Sequence, residues 1–453
     1  MKAVDILYLS LGMMLYPLFA CGSNAADNKE DIATYFANSL KGEKVEYSIS
    51  KKVKKNEVNQ WCDSVWACWK SANYEASEEK LGALSPLSAS TASKWNMPEG
   101  SEPNTVMPYY WGTKGQVDPN KGYPLFLYIH GSGPKENEWS TGLKICSRFD
   151  DAPSLYFIPQ IPSEGQYYRW WQKGKQAIWE RLLRQSFVSG KIDPLRVYFF
   201  GISEGGYGSQ RLASFYADYL AAAGPMAGGE PLKNAPAENC ANIAFSLRTG
   251  DKDFGFYRDI LSRYVKEAYD SLQALHPGLY NHWVELIPGK GHHIDYNPTT
   301  PWLKQFVRNP YPKYVCWEDY PMDGRYREGF YNLAVKKRPE GLDQDGRTRY
   351  EMTVSDNTID LKIDKVTYKT VQKDPKWGIE MKFEKSYAPA TGGELTIYLC
   401  DKLVDLDKKV TVMLNGKKVF SGKLKADVKH MVNSCATFFD PCRVYPAAVR
   451  IKY

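Results

Sequence analysis

The sequence predicts a mixed α/β protein built on a doubly wound, mostly parallel β-sheet, with a helical segment before it and a β-sandwich after it. Three observations predict this fold class. Aromatic residues recur at helical spacing within residues 21–100, and short apolar runs alternate with amphipathic helices within residues 101–335. Apolar and polar residues alternate along residues 345–453, as they do in strands that bury one face.

Composition supports an ordinary globular protein of two or three domains. The chain has 453 residues, of which 43% are hydrophobic and 25% charged, and this excludes a wholly disordered, collagen-like or coiled-coil protein. The net charge is +7, but the basic residues are spread along the chain. The densest run, residues 51–55, is short and typical of a solvated face, so we expect no nucleic-acid partner.

Residues 1–20 are predicted to be a signal peptide. The apolar run Ile6–Ala20 is too short for a comfortable membrane span and follows a positively charged start. The run ends Leu18-Phe19-Ala20-Cys21, which resembles a bacterial lipobox and predicts lipidation of Cys21. Ordinary cleavage near Ala26 is the alternative. Either way we expect an exported protein, periplasmic, secreted or anchored to the outer membrane only through this lipid.

Eight cysteines follow Cys21, and export permits disulfides. Cys435 and Cys442 lie close together in a loop-like stretch and are the best candidate pair. The chain contains no C-x-x-C pair, so we predict no metal site.

The N-terminal segment, residues 21–100, is predicted to be helical. Trp61, Val65, Trp66 and Trp69 recur at helical spacing, and such a stripe is more typical of a core face than of a binding site. We interpret the segment as a helical cap or brace.

Strands and helices alternate through the middle of the chain, which predicts parallel strands with helices on both faces. The predicted strands are Leu125–Ile129, Ser154–Ile158, Arg196–Phe200, Asn242–Leu247 and Trp283–Ile287, and the predicted helices are Trp171–Phe187, Ser209–Leu220 and Phe254–Leu275. No tandem repeat is visible.

The C-terminal part follows a polar linker at residues 336–341 and is predicted to be all-β. Asn415-Gly416 between two short strands is a strong hairpin signal. Trp377 is the only tryptophan of this part, whereas a sugar-binding surface usually needs more than one flat ring. We therefore prefer a bracing role over a sugar-binding module, and the second possibility stays open.

The most informative motif is Gly201-Ile202-Ser203-Glu204-Gly205, which follows the strand Arg196–Phe200 and precedes a helix. A nucleophilic serine needs its hydroxyl raised on a tight strand-to-helix turn, and small flanking residues permit that turn. Ser203 is therefore the candidate nucleophile. The alternative is a buried glycine-rich turn without chemistry.

A serine nucleophile needs a base, and His292 and His293 follow the last predicted strand of the sheet. We prefer His292, directly after Gly291, and expect His293 to be a neighbour. The acid of a triad is expected after the strand Asn242–Leu247, where Asp251 and Asp253 are both candidates.

Two further segments belong to the predicted site. The turn His130-Gly131-Ser132-Gly133 follows the first strand, so the backbone N–H groups of Ser132 and Glu204 are candidates for an oxyanion hole. His130 itself is expected to be structural. Tyr168, Arg169 and Trp170 follow the next strand and are expected either to contact substrate or to pack on the sheet.

These motifs together resemble those of the α/β-hydrolases, in particular secreted esterases similar to polyhydroxybutyrate depolymerases and to feruloyl or acetyl-xylan esterases. The resemblance covers about Gly122 to Phe306, a little under half of the chain. The family pattern places the acid three residues after a glycine, which favours Asp253 after Gly250. It implies a Ser203–His292–Asp253 triad that needs no metal or organic cofactor.

The resemblance implies a serine carboxylic-ester hydrolase that removes acetyl or feruloyl groups from polysaccharide, with a carbohydrate or small ester as its partner. Two alternatives stay open. A serine exopeptidase or oligopeptidase of the prolyl-oligopeptidase type shares the same motif, and a non-catalytic glycan-binding surface protein could use the same scaffold.

Overall fold

The computed structural model describes residues 23–118, 120–343 and 345–453, with side chains from residue 31 onward. The predicted signal peptide and Cys21 lie outside the described residues. Two helices open the described chain, α1 (Ser23–Leu40) and α2 (Val58–Glu75). Within the described ranges, no helix is both long enough and apolar enough to span a membrane.

An eight-stranded sheet forms the centre of the next region, in the order β1-β2-β4-β3-β5-β6-β7-β8. Its strands are β1 (Ala92–Asn96), β2 (Val106–Lys114), β3 (Tyr123–Ile129), β4 (Ser154–Pro159), β5 (Ile192–Ile202), β6 (Ala222–Met226), β7 (Ala244–Gly250) and β8 (His282–Ile287). The first two strands run antiparallel to their neighbours, and β3 to β8 are parallel to one another.

Helices cover both faces of this sheet. They are α3 (Lys135–Arg148), α4 (Lys173–Ser189), α5 (Glu204–Phe215), α6 (Arg258–Leu275) and α7 (Thr299–Leu303). Leu125 and Leu127 of β3 pack into one core with α4, α5 and α6, whereas the alternate residues Phe126 and Tyr128 pack into a second core with α3 and α7. A sheet buried on both faces is doubly wound, so the predicted fold class is confirmed.

Several elements of this region differ from the sequence-based expectation, among them β6, α3 and β1. Strand β6 (Ala222–Met226) contains only small residues, a proline and one methionine, so its hydrophobic signal is weak. Helix α3 is mostly polar and was not predicted. Strand β1 pairs with β2, so the sheet begins before residue 101, inside the segment predicted to be wholly helical.

The C-terminal region contains two further sheets. One has the order β10-β11-β15-β18, and the other has the order β17-β16-β13-β12-β9, with β14 added to β13. The strands are β9 (Tyr314–Asp319), β10 (Gly329–Phe330), β11 (Leu333–Lys337), β12 (Arg347–Ser355), β13 (Thr358–Lys373), β14 (Glu380–Pro389), β15 (Glu394–Leu399), β16 (Lys409–Leu414), β17 (Lys417–Lys423) and β18 (Ala447–Lys452). Stacked rings of Trp317 and Phe330, 5.4 Å apart, join the two sheets.

The chain enters the C-terminal sheets earlier than the predicted boundary near residue 335. Strand β9 already pairs with β12, and β11 extends into the segment predicted to be a linker. Residues 336–341 are polar because the end of β11 is exposed to solvent, and they do not mark a boundary between domains. The hairpin predicted at Asn415-Gly416 is present between β16 and β17, with both residues at positive φ.

Helix α8 (Val428–Phe438) lies between β17 and β18 and contains Cys435, one of the two cysteines predicted to form a disulfide. Cys435 and Cys442 are both free thiols, which differs from the expected pairing. The Cys435 side chain is buried in an apolar cluster with Met431 and Val432, whereas Cys442 lies in a short helical turn after α8.

The N-terminal helices pack on this C-terminal helix. Ile32 and Phe36 of α1 and Trp69 of α2 share one buried cluster with Met431 and Val432 of α8. The ring of Trp69 meets that of Phe36 edge-on at 5.0 Å. The tryptophan stripe therefore belongs to a core, and the first and last parts of the chain are held together.

A buried ion cluster joins the sheet region to the C-terminal region. Asp218, after α5, accepts hydrogen bonds from Arg327 at 3.0 and 3.1 Å and from Arg443 at 2.5 Å. Asp440 accepts from Arg443 at 2.7 Å and from Arg308 at 2.6 Å. All five side chains are buried, so each charge depends on its partners for the hydrogen bonds that water would otherwise provide.

Arg443→Met is expected to lower the free energy of unfolding by about 3–5 kcal/mol, because it leaves Asp218 and Asp440 buried with fewer donors. Urea denaturation followed by circular dichroism measures this loss. Lys44→Met, which removes the exposed partner of Glu328, is the matched control and is expected to change stability little. Equal stability of the two variants would contradict a structural role for the cluster.

Candidate functional site

Ser203 lies on the sharp turn between β5 and α5, with φ 58° and ψ −115°. A non-glycine residue at positive φ is strained, at a cost of roughly 1–3 kcal/mol. The Ser203 N–H donates a hydrogen bond to Met226 O at 2.9 Å, which connects the turn to β6. A Cβ atom on Gly205 would overlap the carbonyl group of Ile129, so only glycine allows the turn to lie this close to β3.

His292 lies in the loop after β8 and contacts Ser203. Its Nε2 is 2.9 Å from Ser203 Oγ, and its Nδ1 is 2.7 Å from Asp253 Oδ2. Because a carboxylate can only accept, Nδ1 carries the proton and Nε2 is free to accept the proton of the serine hydroxyl. His293 is exposed, with its ring centre 6.0 Å from that of His292. The structure therefore brings the preferred histidine, not its neighbour, to Ser203.

The structure also separates the two candidate acids. Asp253, after β7, contacts His292, whereas Asp251 accepts a hydrogen bond from the Gly289 N–H at 2.8 Å and holds the loop. Arg258, at the start of α6, donates to both oxygens of Asp253, at 2.8 and 2.5 Å. Burial favours the neutral acid, but hydrogen bonds from His292 and Arg258 outweigh it and hold the pKa of Asp253 below its usual range.

Sequence reasoning missed Arg258. It stands five residues after Asp253, beyond a loop whose path gives the sequence no signal for a contact between the two side chains. Arg258 is largely buried and contacts both carboxylate oxygens, one of which also contacts His292, so the ion pair orients the carboxylate.

The turn after β3 lies against Ser203, as a Cβ atom on Gly131 would be 3.3 Å from Ser203 Cβ. Glu204 is the first residue of α5, so its N–H has no acceptor within the helix. Ser132 is exposed on the same turn. The two predicted donors therefore belong to the two backbone segments that border the serine hydroxyl.

His130 is buried below this turn. Its Nε2 accepts from the Ile161 N–H at 3.1 Å, and its Nδ1 lies 2.8 Å from Gly131 O. Burial lowers the pKa of His130 to about 4, so the ring is neutral at ordinary pH. This is the structural role expected for it.

The sequence left substrate contact and packing on the sheet both open for the residues after β4, and Tyr168 and Trp170 are buried. The hydroxyl of Tyr168 donates to Gly131 O at 2.6 Å, and the indole N–H of Trp170 donates to His130 O at 2.9 Å. These rings support the turn from below and have no free face for a ligand. Arg169, between them, is half-exposed and lies 3.3 Å from the carboxylate of Glu204.

Glu204 has a second distinctive feature, its buried side chain. Burial raises the pKa of its carboxyl to about 7, and nearby Arg169 offsets only part of this effect, while Glu230 adds to it. Glu230 is itself paired with Arg211 at 2.7 and 3.0 Å. An acid that titrates near neutrality therefore stands next to the candidate nucleophile.

Among the described side chains, which begin at residue 31 and leave out residues 119 and 344, no group of three from His, Cys, Asp or Glu is arranged to hold a metal ion.

Comparison of the sequence with protein families and with curated proteins found no match. Several solved structures resemble part of the chain. A thermostable esterase is 19% identical over 48% of this chain and 63% of its own length, with a TM-score of 0.37. A ferulic acid esterase from Anaeromyces mucronatus is 16% identical over 48% of this chain and 89% of its own, with a TM-score of 0.34. An S-formylglutathione hydrolase from Staphylococcus aureus is 14% identical over 47% of this chain and 95% of its own length, with a TM-score of 0.33.

Substitution at the strained turn tests its geometry. Ser203→Gly is expected to be more stable than Ser203→Ala by about 1 kcal/mol, because glycine releases the strain of positive φ and this exceeds its entropic cost. Urea denaturation of both variants measures the difference. At Ser209, inside α5, the order is expected to reverse, with glycine about 1 kcal/mol less stable than alanine. The same order at both positions would contradict a strained turn.

The raised pKa of Glu204 predicts a pH dependence of stability. Between about pH 4.5 and 7 the folded state keeps a proton that the unfolded chain releases, so stability falls as pH rises, by on the order of 2–3 kcal/mol. Glu204→Gln is expected to lack this fall, whereas the exposed Glu328→Gln keeps it. Unfolding free energies at pH 5 and 8, measured in urea, compare the three proteins. If the stability of Glu204→Gln depended on pH as that of the wild-type protein does, Glu204 would not be the group responsible for the fall.

Proposed function

We propose that the protein is a serine hydrolase that cleaves carboxylic esters through a covalent acyl-enzyme. The observation that carries this proposal is the unbroken hydrogen-bonded chain from Ser203 Oγ through His292 to Asp253, on a strained strand-to-helix turn. A weak nucleophile, an adjacent base and a group that orients the base are the parts that nucleophilic catalysis requires.

In the proposed first step, Ser203 Oγ attacks the ester carbonyl carbon while His292 Nε2 takes the hydroxyl proton. The N–H groups of Ser132 and Glu204 stabilise the oxyanion, and each such donor contributes about 3–4 kcal/mol to the transition state. Collapse of the intermediate breaks the bond to the alcohol, which leaves with the proton from His292. The product is an acyl group on Ser203.

In the second step a water molecule gives its proton to His292 Nε2 and attacks the acyl carbon. The same oxyanion donors act again, and Ser203 recovers its proton as the acid leaves. Asp253 stays ionised throughout because His292 and Arg258 stabilise its charge. Arg258 is thus proposed to position the acid of the triad without touching the substrate.

We propose acetyl or feruloyl groups on polysaccharide as the substrate class. The sequence motifs around Ser203 and His130 resemble those of secreted esterases, and the sequence shows no tandem repeats of the kind that form the propeller of a prolyl-oligopeptidase. The half-exposed His292 and Arg169 support a site that opens at the surface, where a bulky polymer can approach.

Ser203→Ala is expected to lower turnover of 4-nitrophenyl acetate by at least about 10⁴-fold, since members of a triad act as a unit. His292→Ala is expected to be nearly as severe. His293→Ala is the matched control and is expected to retain most activity, because its exposed ring does not contact Ser203.

Circular dichroism and thermal denaturation of the three variants verify that each is folded. Wild-type turnover by Ser203→Ala would exclude this serine as the nucleophile. A greater loss of turnover in His293→Ala than in His292→Ala would identify His293 as the base. An assay panel of acetylated xylan, acetylated pectin, methyl ferulate and a chromogenic dipeptide then separates esterase from peptidase activity.

A further inference from the structure

The hairpin of β13 and β14 extends from the C-terminal sheets across the surface of the sheet region. Along its path Glu380 pairs with Lys233 at 3.0 Å, and Gln372 accepts a hydrogen bond from the Tyr264 hydroxyl at 3.4 Å. At its tip Asp374 accepts a hydrogen bond from the Tyr257 hydroxyl at 2.5 Å. The tip of the hairpin therefore rests on the loop that follows Asp253.

That loop has an unusual backbone conformation. Phe256 and Tyr257 are consecutive non-glycine residues at positive φ, 52° and 58°. Such strain persists only where surrounding contacts hold it, and it is concentrated at functional sites. Here the hairpin supplies the contacts, through the Tyr257–Asp374 hydrogen bond and through the ring of Trp377, 4.8 Å from that of Phe256.

Three aromatic rings at this junction stay open to solvent. Phe254, Phe256 and Trp377 are 67%, 46% and 51% exposed, although rings of this size are normally buried. Phe254 directly follows Asp253, whose carboxylate contacts His292. Phe254 and Phe256 thus lie on the loop that follows the acid of the proposed triad, with Trp377 against Phe256, and exposed apolar groups of this kind mark binding sites.

We propose that Phe254, Phe256 and Trp377 form a carbohydrate subsite that binds the sugar chain carrying the scissile ester. The inference rests on the proposed function, because it takes the ester to be a substituent of a glycan. It makes the C-terminal region a contributor to substrate binding as well as a brace.

The shape and chemistry of the surface favour a sugar chain over a single aromatic acid. The rings of Phe256 and Trp377 are tilted by 48° to each other and each is about half-exposed, whereas one planar acid needs a closed slot. Lys376 places its ammonium group over the Trp377 ring, 4.9 Å from the ring centre, so a hydrogen-bond donor for sugar hydroxyls is part of the same surface as the rings.

The test compares hydrolysis of acetylated xylohexaose with hydrolysis of 4-nitrophenyl acetate by the full-length protein. Phe254→Ala/Trp377→Ala is expected to lower the ratio of the two kcat/KM values by about tenfold, mainly through KM for the oligosaccharide. The single variant Trp377→Phe keeps an aromatic ring at this position and is expected to retain most of the wild-type ratio. Tyr74→Ala removes a ring that is 63% exposed on α2 and is expected to leave the ratio unchanged.

Two outcomes would overturn the subsite. One is an unchanged ratio in the double variant with both activities retained. The other is an equal loss on both substrates with a lower melting temperature, which indicates a structural role alone.

Binding separates this proposal from the proposed function. Ser203→Ala is titrated with acetylated xylohexaose and with methyl ferulate by calorimetry. Binding of the oligosaccharide that is lost on adding Trp377→Ala supports the subsite even if the wild-type protein hydrolyses no ester. Binding of methyl ferulate alone, or of neither probe, overturns it.

Discussion

The strained turn at Ser203 is the constraint on which the rest of the site depends. A serine at φ 58° can stand there only because Gly205 lets the turn approach β3 and because the Met226 carbonyl holds its N–H from β6. The turn raises the hydroxyl above the carboxyl edge of the sheet, and α5 begins directly behind it. Ser132, Asp253 and His292 lie on loops that follow other strands at that edge, so the position of the turn sets which side chains can reach the hydroxyl.

Two buried carboxyl groups near the serine, those of Asp253 and Glu204, differ in the direction of their pKa shifts. At the site, Asp253 is buried but keeps its charge, because His292 and Arg258 donate to both of its oxygens. Glu204, one residue from the nucleophile, lacks comparable donors, so its pKa rises to about 7. The contrast follows from the number and geometry of hydrogen bonds to each carboxylate, since both side chains are shielded from water.

The C-terminal sheets are integral to the molecule. The buried cluster around Asp218 and Arg443 couples them to the end of α5, and α8 holds the N-terminal helices. The β13–β14 hairpin then carries Trp377 to the loop after Asp253. A region that reads in the sequence as a separate accessory domain thus shares its core, its buried charges and its longest hairpin with the region that contains the site.

The sequence by itself determined the fold class, the doubly wound sheet and the motif around Ser203, because hydrophobic periodicity and glycine spacing are local properties of the chain. It also limited the base to His292 or His293 and the acid to Asp251 or Asp253, since both pairs follow strands. Only the tertiary structure decided which member of each pair contacts its partner. The burial of Tyr168 and the contact between Phe256 and Trp377 likewise depend on segments that are far apart in the chain, and the ion pair of Asp253 with Arg258 depends on the path of an irregular loop. Neither kind of contact leaves a periodic signal in a single sequence.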